Sequence, residues 1–291
     1  MYLCSAKVVP TNIGMIIWVD LGEKAKNMPE GQQIQPTRRL WERKELILAL
    51  SVYFQLPFGR LHRCTSEVVE LGRLIGRSAN SAALRLVNFA ACDPYIINSG
   101  RKGMQSGASV CKPIWEEFAN DRERLFLEAQ KIKAELMQKS IEESLNIPQT
   151  LLVGKEKETV IKQRVNQSVF RTMILQNYEN QCAITGINVP DLLIASHIIP
   201  WANSTAEQRL APENGICLSA LYDKAFDRGL ITISPDDYTI ILSSALLEYE
   251  TKDYFDTHFG SIAGNKIIMP IEHTPNRDYL AYHKENIFRG M

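Results

Sequence analysis

Cys182-Ala-Ile-Thr-Gly186, Ala195-Ser-His-Ile-Ile-Pro-Trp201 and Asn214-Gly-Ile-Cys-Leu-Ser-Ala-Leu-Tyr-Asp-Lys-Ala-Phe-Asp-Arg-Gly-Leu230 are the words of the sequence that decide its fold. A histidine closes an apolar run, an asparagine follows 17 positions later and an aspartate nine after that. The apolar pattern predicts a strand from Leu192 to Ile198, a second from Gly215 to Leu218, and a helix from Ser219 to Arg228 packed across them. His197 then ends the first strand, Asn214 opens the second and Asp223 rides the helix, an order that turns all three toward one cleft. The types have a chemistry of their own. Imidazole is a base that is neutral near pH 7, and a carboxylate holds hard, oxygen-loving ions.

This order and spacing resembles the HNH nuclease family, whose ββα-metal fold hydrolyses phosphodiesters with one divalent ion. The lead-in words, Gln167-Ser-Val-Phe-Arg171 and Tyr178-x-x-x-Cys182-x-x-Thr185-Gly186, look like those of a branch found in bacterial restriction and defence enzymes. The resemblance implies His197 as general base, Asn214 as its orienting partner and Asp223 as metal ligand, with Mg²⁺ or Mn²⁺ as the ion. The chain departs from the pattern at two places. Many relatives carry a second metal ligand just before the base, where this chain has Ser196. Their third motif residue is more often His or Asn than Asp. Asp227, one helical turn after Asp223, shares its face and stands in for the missing ligand or braces the loop at Gly229.

Composition bounds the rest. At 291 residues, with 45% hydrophobic and 23% charged residues, the chain is that of an ordinary globular protein with room for two domains. No apolar run is long enough to span a membrane, and Met1 to Lys7 lacks the order of a signal peptide. A cytoplasmic location is expected. The six cysteines include no Cys-x-x-Cys pair, so free thiols and no structural zinc are expected. Net charge is zero, yet Arg38 to Trp115 holds twelve Lys or Arg against five Asp or Glu. Such asymmetry points to a nucleic-acid-facing segment or to an ordinary solvated face.

The expected class is α+β, with a mainly helical N-terminal domain and a C-terminal ββα-metal domain. The divisions are residues 1–36 as an extension of unassigned order, 37–145 as the helical domain, 146–158 as a linker and 159–291 as the nuclease domain. Within the helical part, Trp41, Ile47, Leu50 and Phe54 recur at helical spacing. Further helices fit Ser66 to Ile75 and Ala79 to Ala91, the latter capped by Ser78. Their short Gly-containing turn outlines a helix-turn-helix. Asn80, Ser81 and Arg85 would then reach base edges, and Arg73 and Arg77 phosphates. A plain bundle with surface arginines fits equally. Asn98 to Gly107 reads as a flexible basic loop, with Arg101 and Lys102 available to a DNA backbone or simply to solvent. A single long helix is expected from Trp115 to about Leu145, its apolar stripe marked by Phe118, Leu125, Ala129, Ile132 and Leu136, and a hairpin after Leu230. His258, His273 and His283 are read as structural or surface residues.

The leading function is a metal-dependent DNA endonuclease in bacterial restriction or defence, acting on double-stranded DNA. One site cuts one strand, so double-strand cleavage asks for two sites and hence a homodimer. The alternatives are a DNA-binding regulator with an inactive HNH module, or an RNA-cleaving effector.

Overall fold

The computed structural model describes residues 39–147 and 154–290. The expected extension 1–36 and the middle of the expected linker lie outside the described residues. Residues Trp41–Met291 form one compact unit.

Three helices open it: α1 (Arg43–Tyr53), α2 (Ser66–Leu74) and α3 (Ala79–Ala90). One face of α1 buries Leu46, Ile47, Leu50 and Tyr53. The bounds of α2 and α3 agree with the sequence expectation. Ser78 accepts a hydrogen bond from the Ser81 amide as N-cap. At Gly72 a Cβ would lie 2.9 Å from the Arg77 carbonyl oxygen, so this glycine lets the turn fold back tightly onto α2.

Next come α4 (Pro94–Asn98), α5 (Ala108–Phe118), α6 (Arg122–Leu136) and α7 (Ile141–Ser144). The single helix expected over 115–145 is therefore broken twice. Asp121 caps α6 by accepting from the Arg124 amide, and Ser140 with Glu143 forms a capping box that starts α7. Local side-chain hydrogen bonds to the backbone end one helix and begin the next. The expected stripe persists in part, since Phe118, Leu125, Ala129 and Ile132 are buried while Leu136 at the end of α6 is exposed. The loop before α5 is packed rather than loose. Asn88 donates to the carbonyls of Met104 and Ser106, and a Cβ on Gly103 would lie 2.1 Å from the Ala91 nitrogen.

The long α8 (Lys155–Asn177) starts inside the segment expected as linker and packs against both α6 and the first hairpin. That hairpin pairs β1 (Leu193–His197) antiparallel with β2 (Gly215–Ser219), in the register Leu193↔Ser219 to His197↔Gly215. The connection between them holds the one-turn helix α9 (Ala206–Arg209), and α10 (Ala220–Asp227) follows β2 directly. The ββα order is thus the one read from the sequence. A Cβ on Gly215 would lie 2.2 Å from Ile174 Cδ1 and 2.7 Å from Phe170 Cζ, so glycine here lets α8 close onto the hairpin.

A second hairpin, β3 (Ile231–Ile233) with β4 (Ile240–Leu242), is followed by α11 (Ser244–Leu247), α12 (Asp253–His258) and α13 (Arg277–Asn286). Cys182 and Cys217 are buried free thiols. Among the described residues no helix is long and apolar enough to cross a membrane.

Candidate active site and its surroundings

Successive residues of a strand point to opposite faces, and the end of β1 uses both. His197 faces α8, where its ring stacks on Phe170 with centroids 3.7 Å apart and planes 11° apart. The edge of Trp201 closes a second side at 5.7 Å. His197 Nε2 lies 3.2 Å from the Arg209 carbonyl oxygen. A carbonyl only accepts, so Nε2 carries the proton and Nδ1 keeps its lone pair. Nδ1 has no hydrogen-bond partner among the described residues. Burial lowers the imidazole pKa, partly offset by the Arg209 hydrogen bond. The ring is therefore neutral at pH 7, with one open basic nitrogen.

Asn214 is fully buried and its amide is saturated. Oδ1 accepts from the Ile199 amide at 2.8 Å, while Nδ2 lies within 3.3 Å of the Ile199 carbonyl, Ser204 Oγ and the Gln208 carbonyl. The expected direct orientation of His197 by Asn214 is not what the fold builds. Asn214 pins the loop 199–208, and the next residue, Arg209, supplies the carbonyl that holds His197.

Ser196 leaves β1 toward α10. Its hydroxyl is buried and stands near enough to the Asp223 carboxylate to favour the ionised form, short of a well-formed hydrogen bond. Burial nonetheless raises the Asp223 pKa, and repulsion from Asp227 adds to it. Asp227 is also raised by burial, against the pull of Lys224 and Arg228. The two carboxylates thus feel one another on one face of α10, as their spacing predicts. Ser196 thus lies toward α10 and His197 toward α8, so adjacent residues at the end of β1 serve different neighbours. Among the described residues no group of three or more His, Cys, Asp or Glu converges as a metal site. A pair of half-buried, mutually repelling carboxylates still suits an oxygen-preferring divalent ion completed by water and phosphate.

Residues 182–234 match the family model described as HNH endonuclease. This segment is similar to HNH endonuclease domains. The HNH segment contains β1, β2, α10 and β3, and such a domain implies a nucleic-acid substrate and, generally, a divalent metal. No curated protein matches the chain. Three HNH-site neighbours escaped sequence reasoning: Phe170 under the imidazole, Trp201 at its edge, and the Arg209 carbonyl. Phe170 and Trp201 stand inside the quoted words, but a stacking partner leaves no spacing signal, and a backbone carbonyl leaves none at all.

The expected DNA-binding residues divide. Arg77 makes a buried, two-pronged pair with Glu45, at 3.0 and 2.7 Å. Its guanidinium lies 4.4 Å from the Trp41 ring centroid, and that of Arg85 lies 4.7 Å from the same centroid. Arg85 also donates to the Gly107 carbonyl. Arg101 pairs with the buried Glu272 and donates to Ser99 Oγ. These three bind the fold together, which corrects their reading as open cations. Arg73, Asn80 and Lys102 are exposed. The positive excess of the N-terminal half is largely answered from other elements, with Arg43 on Glu117 and Lys44 on Glu135. His283 is buried and His273 pairs with Glu213.

Proposed function

We propose that the protein is a metal-dependent endonuclease that hydrolyses phosphodiester bonds in double-stranded DNA. The observation that carries this is His197: within the HNH segment it is neutral, fixed by stacking and one hydrogen bond, and its Nδ1 is open. His197 accepts the proton of the attacking water at Nδ1. The Arg209 carbonyl keeps the tautomer, and Asn214 keeps Arg209 in place. Asp223 and Asp227 would hold Mg²⁺ or Mn²⁺, which when bound neutralises charge on the phosphate. Arg73, Asn80 and Lys102 are the exposed groups of the helical part suited to DNA. A restriction or defence role rests on the resemblance of the lead-in words, and double-strand cleavage would use two copies of the chain.

One observation favours a second reading. Ser196 occupies the place of a metal ligand, and the described residues bring only two carboxylates together. A DNA-binding protein with a silent HNH module would look the same. Supercoiled plasmid incubated with the full chain and either Mg²⁺ or Mn²⁺ separates the two. Metal-dependent nicking that stops with a chelator and in His197→Ala supports the endonuclease. Plasmid binding without nicking under either metal supports the silent module.

A further inference from the structure

A cavity of about 700 Å³ lies between the helical part and the loop 205–213, within the size range of small-molecule sites. Its chemistry is uneven. Asp93 accepts from the Tyr53 hydroxyl and the Tyr95 amide. Glu272 is paired with Arg101 and accepts from the Phe58 amide. Arg122 differs. Its guanidinium lies 4.4 Å from the Phe54 ring centroid. Among the described residues it has no carboxylate within ion-pair distance and no hydrogen-bond acceptor. Partly buried guanidinium groups are seldom left so.

Glu213 is the counterpart. Oε1 takes the His273 imidazole at 2.8 Å, and beyond that the carboxylate meets only its own backbone amide, which leaves it acceptor capacity toward the cavity. Glu213 is the carboxylate that acts most strongly on Arg122, yet the two do not close into a pair. A donor fork and an open acceptor thus face one cavity, apart from one another. Aromatic walls surround them: Phe54, Phe58, Tyr95 and Tyr279. Tyr95 already stacks on His273 at 5.0 Å.

We propose that this cavity binds a guanine-type nucleobase, its acceptor edge on Arg122, its donor edge on Glu213 and its ring against the aromatic wall. Guanine offers O6 and N7 as acceptors to an arginine fork and carries N–H donors on its other edge. A base can arrive as a free nucleoside or from a nucleic-acid strand with that base unstacked. Loop 205–213 is both the cavity wall and the source of the Arg209 carbonyl that holds His197, so the site borders the HNH machinery without being part of it. The proposal concerns binding alone and stands whether or not the protein cleaves DNA.

Calorimetric titration of the full chain tests it, with guanosine, thymidine and single-stranded oligonucleotides that carry one guanine or none. The expected result is saturable binding of guanosine or of the guanine-bearing strand, with the thymine-only probes at least about tenfold weaker. Guanosine binding marks a free nucleoside as sufficient, and binding of the strand alone marks the strand as the source. Arg122→Met and Glu213→Gln should each weaken binding by about tenfold or more, with circular dichroism unchanged. Two variants on separate elements guard against loss of fold in one. Absence of saturable binding by both guanine-bearing probes to the wild type would overturn the proposal. So would variants that bind as tightly as wild type, or uptake of a zwitterionic amino acid such as phenylalanine in place of guanosine.

Discussion

His197 and His283 sit in nearly the same setting and differ at one atom. Each ring stacks on a phenylalanine at 3.7 Å, His197 on Phe170 and His283 on Phe226. Each Nε2 meets a backbone carbonyl, that of Arg209 or Phe226. Each pKa is lowered by burial, His283 to about 4. But His283 Nδ1 accepts from Thr232 Oγ1 at 2.9 Å, whereas His197 Nδ1 is open. The fold uses one histidine completely and leaves the other a spare lone pair. The same contrast separates the arginines of the helical part. Arg77 and Arg85 are consumed by Glu45, Trp41 and the Gly107 carbonyl, while Arg73 and Lys102 face solvent. On the proposed reading, function belongs to the groups the fold leaves open.

Exchanging the roles of the two histidines is the strongest way to break this contrast. His197→Ala should lower plasmid nicking by about 10²–10⁴ with little change in melting temperature, since a positioned base supplies about that factor. His283→Ala should do the reverse, costing about 2–4 kcal/mol of stability through lost packing and hydrogen bonds, with nicking per folded molecule unchanged. Parallel kinetics and thermal melts read both. Equal effects of the two variants on rate would erase the distinction.

The arginines give the next largest effect. Arg77→Met leaves Glu45 charged and buried, a loss of about 3–5 kcal/mol. Arg73→Met and Lys102→Met should leave stability within about 0.5 kcal/mol. If they touch DNA, each should flatten the dependence of log affinity on log salt by about 0.9. Chemical denaturation and binding at several salt concentrations test this, and a salt slope altered as much by Arg77 as by Arg73 would count against the division.

Acid should expose the shared burial. His283 is neutral when folded and ordinary when unfolded, so the unfolded state binds the extra proton first. Its contribution is intact above about pH 6.5 and drains away as pH falls toward about 4. His197 shifts in the same direction and adds to the loss. Denaturation midpoints across this range should fall steadily, and less so in His283→Phe if that variant folds.

The smallest effect concerns the carboxylates. Asp223 has a raised pKa when folded, so its charge is a burden above that pKa and none at acid pH. Without divalent ions, Asp223→Asn should melt at or slightly above the wild type at neutral pH, a gain that disappears in acid. Divalent ions should raise the wild-type melting temperature more than that of the variant. A variant that melts lower at neutral pH without metal would show that Asp223 serves the fold instead.

The ββα order was legible because the two short apolar runs and the helical spacing from Asp223 to Asp227 are local signals. Ser78 as a cap was legible for the same reason. What stayed hidden depends on distant partners. Glu45 and Arg77 lie 32 positions apart and Arg101 and Glu272 much further, so a count of charges could not separate internal pairs from open cations. The break at Asp121 was visible in principle as a capping residue, but the apolar stripe of α6 outweighed it. The stacking of His197 on Phe170 joins α8 to β1, and only the packed hairpin reveals it.

The central claim is that His197 is a neutral base with an open nitrogen inside a working HNH domain. Single-turnover nicking of plasmid, followed against pH at saturating Mg²⁺ or Mn²⁺, tests it most directly. The expected rate rises through one ionisation below the ordinary histidine value of about 6.5 and is level at neutral pH, a profile that His197→Ala loses. A profile that His197→Ala retains at wild-type rate would contradict it.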